Sequence, residues 1–171
     1  HINLSKNKMI SKYAYLFLLI ALSVNNTFSQ TRVVRWGGPT DGANSPALVS
    51  SLTGVTQIYS NDGAFAALKM DGSVVTWGNS DSGGDSSSVA SSLTSGVTQI
   101  YSNKEAFAAL KTDGSVVTWG KNSFGGDSSS VASSLTSGVT QIFSTLEGAF
   151  SALKSDGSVV TWGDMYHGGD S

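Results

Sequence analysis

A 42-residue unit is repeated in tandem, and this repetition constrains the fold more than any other feature of the chain. The copies start with the letters GVTQI at Gly54, Gly96 and Gly138, and the third copy carries one additional residue. Repetition at such a period is typical of stacked supersecondary units, each too small to bury its own apolar face alone. The sequence therefore predicts a tandem-repeat domain.

Each unit contains three short runs with the composition of β-strands. In the first copy they are VTQIYS at 55–60, AFAALK at 64–69 and SVVTW at 73–77. The first and third runs are rich in the β-branched and aromatic residues that strands favour. We interpret Asp71-Gly72, which separates the last two runs, as a two-residue type I′ hairpin loop, which needs a positive φ at both positions. The unit thus predicts an antiparallel three-stranded sheet and an all-β fold.

The Ser-rich linker between units leaves two interpretations open. It reads GGDSSSVASSLTSG at 83–96 and again at 125–138. One interpretation is a fourth, outer strand. The other is an irregular or short helical crossover, with Asp85 as N-cap and with Val89 and Leu93 one helical turn apart. Ser-rich sequence makes a weak strand, which favours the crossover without deciding it.

The four tryptophans all occupy one position of the repeat, at the end of the third strand. Such periodic placement predicts packing between neighbouring units rather than contact with a ligand. They are Trp36, Trp77, Trp119 and Trp162. Trp36 ends a diverged strand of a preceding unit, and the last residues, 168–171, start another linker.

We expect three complete blades of 42–43 residues plus partial blades, forming the open arc of a truncated β-propeller, because propellers typically close with about 4–8 blades. An open arc exposes apolar end faces, so we expect self-association.

The first 29 residues differ from the rest and resemble a secretory signal peptide. Met9 is the expected start, followed by Lys12, the apolar run 13–22, and the small residues Thr27 and Ser29 before a cleavage site. This order of charged, apolar and small residues is typical of export signals. The alternatives are an uncleaved anchor or a buried strand. We expect cleavage before Gln30, a mature domain at 30–171, secretion or display at the cell surface, and no membrane insertion after cleavage.

Composition narrows the function classes. From Thr31 onward the chain has seven Lys or Arg against twelve Asp or Glu, so its body is acidic and unsuited to nucleic acid, which requires a basic surface. The chain has no Cys, which excludes disulfides and thiolate metal sites. Asn79-x-Asp81 and Asp85 are spaced like oxygen ligands for calcium, but Lys121 replaces Asn79 in the second unit. We predict no metal, no cofactor and no catalytic residue.

The pattern AL-K-x-DG-x-V-x-x-WG, followed by a Gly-containing loop and by L-x-x-GV-x-x-I, resembles the repeat of the regulator-of-chromosome-condensation family of β-propellers. The resemblance covers roughly residues 32–171. The linker here has Gly-Gly-Asp where family repeats typically have Gly-Gln-Leu-Gly. The short unit is most similar to a secreted bacterial branch that includes the β-lactamase-inhibitor propeller, whose blades are three-stranded. The resemblance implies a propeller, and no functional residue is carried over from it.

Differences between the copies are concentrated in two loops. Residues 54–95 and 96–137 differ at seven positions, of which two follow the first strand, four follow the third strand, and one, Met70 against Thr112, lies in the hairpin turn. Strands that run up, down and up place both variable loops on one rim, which is often the binding surface of a repeat scaffold. The predicted partner-binding residues are Asp62, Asp81, Lys104, Glu105, Lys121, Phe124, Leu146, Glu147, Met165, Tyr166 and His167.

Three functions compete at this point. The first is a secreted or surface binding module that presents this rim to a protein or a glycan. The second is a structural spacer within a larger surface protein. The third, an enzyme with catalytic groups in further repeats, has no support from the residues present. Phe124, Tyr166 and His167 are the leading contact candidates, on the expectation that packing between blades does not explain aromatic side chains on a rim.

Overall fold

The structure is a computed structural model, and it describes residues 50–170 of the 171-residue chain. The strands of this range form three sheets of three strands each, here called blades 1, 2 and 3 in chain order. Blade 1 contains β1 (Val55–Ser60), β2 (Ala64–Lys69) and β3 (Val74–Gly78); blade 2 contains β4 (Val97–Ser102), β5 (Ala106–Lys111) and β6 (Val116–Gly120); blade 3 contains β7 (Val139–Ser144), β8 (Ala149–Lys154) and β9 (Val159–Gly163). The predicted signal peptide, the start at Met9 and the preceding unit that ends at Trp36 lie outside the described residues.

Each blade is an antiparallel meander with the AFAALK run at its centre. Phe65 of β2 pairs with Ser60 of β1 on one side and with Trp77 of β3 on the other. Ala66 and Ala67 point to opposite faces of the sheet, as neighbours in a strand must, and both are fully buried. Small side chains at the centre let the flanking sheet approach closely. The prediction that AFAALK forms a strand is confirmed.

The hairpin turn between β2 and β3 differs from the prediction. Lys69 N–H donates to the carbonyl oxygen of Ser73 at 2.9 Å, and Gly72 N–H donates to that of Lys69 at 3.0 Å. The loop therefore has three residues, and only Gly72, with φ of 75°, has a positive φ. The type I′ prediction is wrong, because Asp71 does not have a positive φ and the loop has three residues. A left-handed glycine at the end of the loop is typical of three-residue hairpins.

The aspartate of this turn holds the chain locally. The Asp71 carboxylate accepts hydrogen bonds from the Ser73 hydroxyl at 2.6 Å and from the Ser73 backbone N–H at 3.0 Å. These bonds hold the pKa of Asp71 below its usual value, the hydroxyl contributing most. Asp113 and Asp156 make the same bonds, and their pKa values are lowered for the same reason. The repeated Asp is therefore a turn residue, as the sequence indicated.

The Ser-rich linkers form short 3₁₀ helices, which settles the choice that the sequence left open. They span Ser87–Leu93 and Ser129–Leu135. Asp85 accepts a hydrogen bond of 2.9 Å from Ser87 N–H, one residue before the helix cap at Ser86. Leu93 is buried in the core between blades 1 and 2, and Val89 packs against it. The crossover thus covers the apolar interface between two blades.

The blades stack face to face through one repeated interface. Between blades 1 and 2, Ile100, Phe107 and Trp119 of blade 2 pack on Ala66 and Leu68 of blade 1. The equivalent residues of blades 2 and 3 form a second core of the same kind. Strand contacts join blade 1 to blade 2 and blade 2 to blade 3, giving the open arc that was predicted. Burying one large side chain of this kind contributes about 1.5–3 kcal/mol, so each interface stabilises the blades that it joins.

Tryptophan and glycine meet at each interface. Trp119 and Trp162 are buried between adjacent blades, which confirms the packing prediction for these two. Trp77 is buried as well, in a cluster with Leu52, Val55 and Ala67. Gly83 of the blade 1 linker has φ of 93°, and an added Cβ would lie 2.8 Å from Cδ2 of Phe107. Gly83 is therefore required both by its backbone conformation and by the close approach of the next blade.

Candidate functional site

The two variable loops of each unit lie side by side at the same end of the blade. In blade 1 the first loop, residues 61–63, joins β1 to β2, and the second, residues 79–82, follows β3. Asn79 N–H donates a hydrogen bond of 2.8 Å to the carbonyl oxygen of Gly63, which connects the two loops directly. The equivalent bonds link Lys121 to Glu105 and Asp164 to Gly148, at 3.0 Å each. The prediction that both loops share one edge of the sheet is confirmed, and we call this edge the variable rim.

A buried asparagine fixes the position of these loops. The Nδ2 of Asn103 donates to the carbonyl oxygen of Phe124 at 2.7 Å. Its Oδ1 accepts from the N–H groups of Ala106 at 2.9 Å and Glu105 at 3.2 Å. Asn61 makes the corresponding bonds in blade 1, with its Nδ2 on the carbonyl oxygen of Ser82. One amide group therefore holds the backbone of both loops. We call this set of bonds the asparagine clamp; it binds only backbone groups of the loops and none of their side chains.

The asparagine is absent from the binding residues that the sequence predicted. The signal was available, because Asn61 and Asn103 are identical residues inside loops that otherwise vary. The third unit has Thr145 at this position, and its hydroxyl accepts only the bond of 3.0 Å from Ala149 N–H. A threonine side chain is too short to reach the second loop as the amide does. The loops of blade 3 are therefore joined through the backbone bond of Asp164 rather than through a side-chain clamp.

Neighbouring blades are also joined at the rim. Asp62 N–H donates to the carbonyl oxygen of Lys104 at 3.1 Å. At the ends of the first strands of each blade, the Ser102 hydroxyl donates to the carbonyl oxygen of Ser60 at 2.9 Å, and the Ser144 hydroxyl donates to that of Ser102 at 2.8 Å. The side chains on the first loops of successive blades are therefore held in a defined order along the rim.

Two polar clefts open on the variable rim between adjacent blades. The first has a volume of about 440 Å³ and is lined by Ser60, Asn61, Asp62, Ser102, Asn103, Lys104, Leu146 and Glu147. The second has a volume of about 420 Å³ and is lined by Asn79, Ser80, Asp81, Ser82, Glu105, Gly120, Lys121 and Asn122. Both have the size of small-molecule or side-chain pockets. Seven of the eleven predicted site residues line them.

Ion pairs arrange the charges of the rim. Lys104 Nζ lies 3.9 Å from Glu147 Oε2, which places opposite charges from blades 2 and 3 at the first cleft. Lys121 forms an ion pair with Glu105 and lies 4.9 Å above the centre of the Phe124 ring. Exposed pairs of this kind stabilise a protein by about 1 kcal/mol or less. They determine where charge is presented more than they stabilise the fold.

The remaining predicted residues divide between exposed and packed positions. Leu146, which also lines the first cleft, and Tyr166 are the most exposed, at 85% and 86%, and Met165 is exposed as well. His167 Nδ1 lies 3.2 Å from Asp164 Oδ1. Phe124 behaves differently: it is half-buried, it packs against the core between blades 2 and 3, and its ring occupies the space where Gly148 lacks a side chain. The expectation that blade packing does not explain Phe124 is therefore wrong.

Metal-ligating clusters and membrane-spanning helices are both absent from the residues that the structure describes. Within residues 50–170, no group of three or more His, Asp or Glu side chains is placed to hold a metal ion. Asn79 Oδ1, one of the calcium-like positions, instead accepts hydrogen bonds from the N–H groups of Asp81 and Ser82. No helix in this part of the chain is long and apolar enough to cross a membrane.

Three-stranded antiparallel blades, stacked through a repeated interface and crossed by short linkers, define a β-propeller-type repeat protein. No protein-family model and no curated protein matches the sequence. Solved structures similar to the chain include human WBSCR16 and, in two structures, the Saccharomyces cerevisiae protein Prp20, a yeast RCC1, one of them bound to Kap60. Each match has 19% identity, a TM-score of 0.45 and covers 64% of this chain, against 33%, 29% and 30% of the respective structures. The chain thus spans about a third of the length of these proteins.

Proposed function

We propose that this chain is a binding module, secreted or displayed at the cell surface, whose variable rim takes a protein or glycan partner. The carrying observation is that six of the seven differences between the first two units fall on this rim. The Ser-rich linkers and the strands are unchanged between those units. Variation confined to one face of an otherwise constant scaffold is the pattern expected of a binding surface.

The chemistry of the rim favours recognition over catalysis. The two clefts are lined by amide, hydroxyl and charged groups, which suit hydrogen bonding to a sugar or to a peptide backbone. Leu146 and Tyr166 project from the rim and supply apolar area of the kind that dominates binding energy. Asp62, Lys104 and Glu147 would orient the partner and select its charge rather than provide most of the affinity.

Location is part of this proposal. The charged, apolar and small-residue segments before Gln30 support export, and the short three-stranded unit agrees with the secreted bacterial branch that the repeat resembles. N-terminal sequencing of the protein from its natural source tests this. A mature protein that starts at Gln30 in the extracellular fraction supports it, and a cytosolic protein that retains Met9 contradicts it.

The chain itself provides a matched test of the rim. A rim-swap variant gives blade 2 the loops of blade 1, through Lys104→Asp, Glu105→Gly, Lys121→Asn, Asn122→Ser, Ser123→Asp and Phe124→Ser. Every new residue already occurs at the equivalent position of the same fold. The control is Thr112→Met, which transfers the seventh difference at the opposite end of the blade.

The measurement is retention on immobilised chain, first across a glycan array and then across proteins from the natural environment of the source. We expect wild type and the Thr112→Met variant to retain the same partner, and the rim swap to lose it. Undiminished retention by the rim swap contradicts the assignment of the rim. If wild type retains nothing on either screen, the spacer function is favoured instead.

A further inference from the structure

Charge is distributed differently at the two ends of the blades. The end that carries the hairpin turns has one lysine and one aspartate in every blade, namely Lys69 with Asp71, Lys111 with Asp113 and Lys154 with Asp156. The loops of the variable rim have two lysines, Lys104 and Lys121, against five carboxylates, which are Asp62, Asp81, Glu105, Glu147 and Asp164. Of the two ends, the variable rim is therefore the acidic one.

Two of the five rim carboxylates are not paired with an opposite charge. The other three lie beside a basic side chain: Glu147 beside Lys104, Glu105 beside Lys121 and Asp164 beside His167. Within residues 50–170, neither Asp62 nor Asp81 forms an ion pair, and both are exposed. The rim therefore presents two negative charges that its own lysines do not neutralise.

Each polar cleft contains one of these unpaired carboxylates. Asp62 lines the first cleft and Asp81 lines the second. The lysine of each cleft already pairs with a glutamate of the same cleft. An anion that enters either cleft would meet a neutralised lysine and a repelling carboxylate, whereas a cation would gain an unpaired opposite charge. Both clefts therefore favour a positively charged group.

The two unpaired carboxylates are held at a fixed spacing, because they belong to the two loops of blade 1. Asp62 follows Asn61, whose Nδ2 donates a hydrogen bond of 2.7 Å to the carbonyl oxygen of Ser82, the residue after Asp81. The N–H of Asp81 donates to Asn79 Oδ1 at 2.8 Å. The asparagine clamp of blade 1 thus joins the two charged positions, and a partner with two basic groups would bind them without first ordering the loops.

The second cleft is specific to the junction of blades 1 and 2. Ser82 of blade 1 aligns with Phe124 of blade 2, and Glu105 aligns with Gly148. Between blades 2 and 3, the Phe124 ring fills the space where Gly148 lacks a side chain. Between blades 1 and 2, the smaller Ser82 and Glu105 line an open cleft instead. The scaffold can therefore close this space with an aromatic ring, and it leaves the space open beside the unpaired Asp81.

We propose that the partner of the variable rim is a protein segment with at least two Lys or Arg side chains, which enter the two clefts and pair with Asp62 and Asp81. This inference rests on the proposed binding function of the rim and names the chemistry of the partner. A basic side chain carries its charge at the end of a long apolar stem, so the charge can enter a cleft while the backbone of the partner stays outside. Leu146, which lines the first cleft and is 85% exposed, provides apolar contact for such a stem.

Fluorescence anisotropy with labelled hexa-arginine at low salt tests the proposal. We expect the double variant Asp62→Asn, Asp81→Asn to bind the peptide about 10-fold more weakly, which is about 1.4 kcal/mol for two partly exposed charge pairs. The matched control is Asp113→Asn, Asp156→Asn, which removes the same charge from the turn end, keeps an oxygen for the serine hydrogen bonds and should bind like wild type. Circular dichroism verifies that each variant retains its strands.

The rim-swap variant separates this inference from the proposed function. The swap keeps Asp62 and Asp81, and it makes the rim more acidic because it removes two lysines and one glutamate while it adds two aspartates. We therefore expect it to bind hexa-arginine at least as tightly as wild type, although it loses the partner that wild type retains. Loss of that partner by the rim swap supports the binding rim whatever the result with the peptide.

Four results would each overturn the inference. They are a wild-type chain that does not bind hexa-arginine, a double rim variant that binds it as wild type does, a turn-end control that weakens binding equally, and tighter binding of fully protonated hexaglucosamine than of hexa-arginine. The last result would identify an amino-sugar polymer as the partner in place of a basic protein segment.

Discussion

The indole Nε1–H of Trp119 donates a hydrogen bond of 3.1 Å to the carbonyl oxygen of Gly83, and so links blade 2 to the linker of blade 1. Trp162 makes the same bond to Gly125 between blades 2 and 3. Each tryptophan thus completes the hydrogen bonding of the preceding unit while its ring fills the core between two blades. The tryptophan of one unit is therefore joined to the Gly-Gly-Asp linker of the unit before it.

Replacement of Gly83 by Ala should destabilise this junction by about 3 kcal/mol, through left-handed strain and overlap of the new Cβ with Phe107. Gly168 occupies the same position of the third unit, with φ of 98°, and a Cβ added there would have nothing within 4 Å. Gly168→Ala should therefore cost only the backbone strain, about 1 kcal/mol. Urea unfolding of both variants measures the difference, and equal losses would contradict the packing explanation.

Removal of the loop clamp should have a large effect. Asn103→Ala deletes three hydrogen bonds and leaves a loop carbonyl without its amide partner, so we expect the free energy of unfolding to fall by about 2–3 kcal/mol. Asn103→Thr copies the natural third unit and should retain one bond, as Thr145 does, with a smaller loss of about 1 kcal/mol. Thermal and urea unfolding test this order. A threonine variant as unstable as the alanine variant would show that the retained bond does not matter.

Two aromatic residues of the rim should respond differently to truncation. Phe124→Ala should reduce the free energy of unfolding by about 1–2 kcal/mol, because the ring packs between blades 2 and 3. Tyr166→Ala should change it by less than about 0.5 kcal/mol, because this side chain is 86% exposed. Unfolding curves for the pair provide the measurement. If Phe124→Ala is as stable as wild type, the ring belongs to the binding surface rather than to the core.

Acid should weaken the hairpin turns. The Ser hydroxyls lower the folded-state pKa of Asp71, Asp113 and Asp156 below the unfolded value of about 3.9. A lowered folded pKa means that the contribution of these groups to stability is present above the unfolded pKa and is lost as the pH falls through the folded pKa. Urea unfolding between about pH 2 and pH 6 should show this loss.

A variant with alanine at Ser73, Ser115 and Ser158 provides the control for the pH experiment. It keeps the three carboxylates but removes the hydroxyl groups that contribute most to the lowered pKa values. Its stability should therefore depend less steeply on pH in the acid range. An unchanged slope would show that other groups cause the acid response.

Much of the fold could be predicted from local chemistry. The β-branched and aromatic composition of VTQIYS and SVVTW indicated strands, and the recurring Asp-Gly indicated a tight turn, because both depend on residues close in sequence. The turn type was wrong because Asp-Gly is compatible with two-residue and three-residue hairpin loops. The hydrogen bond of Lys69 N–H to Ser73, which decides between them, depends on strand register rather than on the turn residues.

The variable rim likewise combines features that the sequence predicted with features that depend on contacts between blades. Variation between copies located both loops correctly, because the direction of three antiparallel strands follows from their number. It misassigned Phe124, since nothing in one unit shows that Gly148 of the next blade leaves room for an aromatic ring. It also overlooked Asn103, whose importance comes from bonds to a loop 21 residues away.

By itself, the sequence determined the repeat, the three strands of each blade, the turn positions and the edge on which variation collects. These follow from periodicity and from backbone preferences that act over a few residues. Only the tertiary structure decided the helical form of the linker, the turn type, the asparagine clamp and which apolar residues are covered. Ile58 and Ile100 have the same neighbours in sequence yet differ in exposure from 43% to 1%, because burial depends on the blade that packs against each of them.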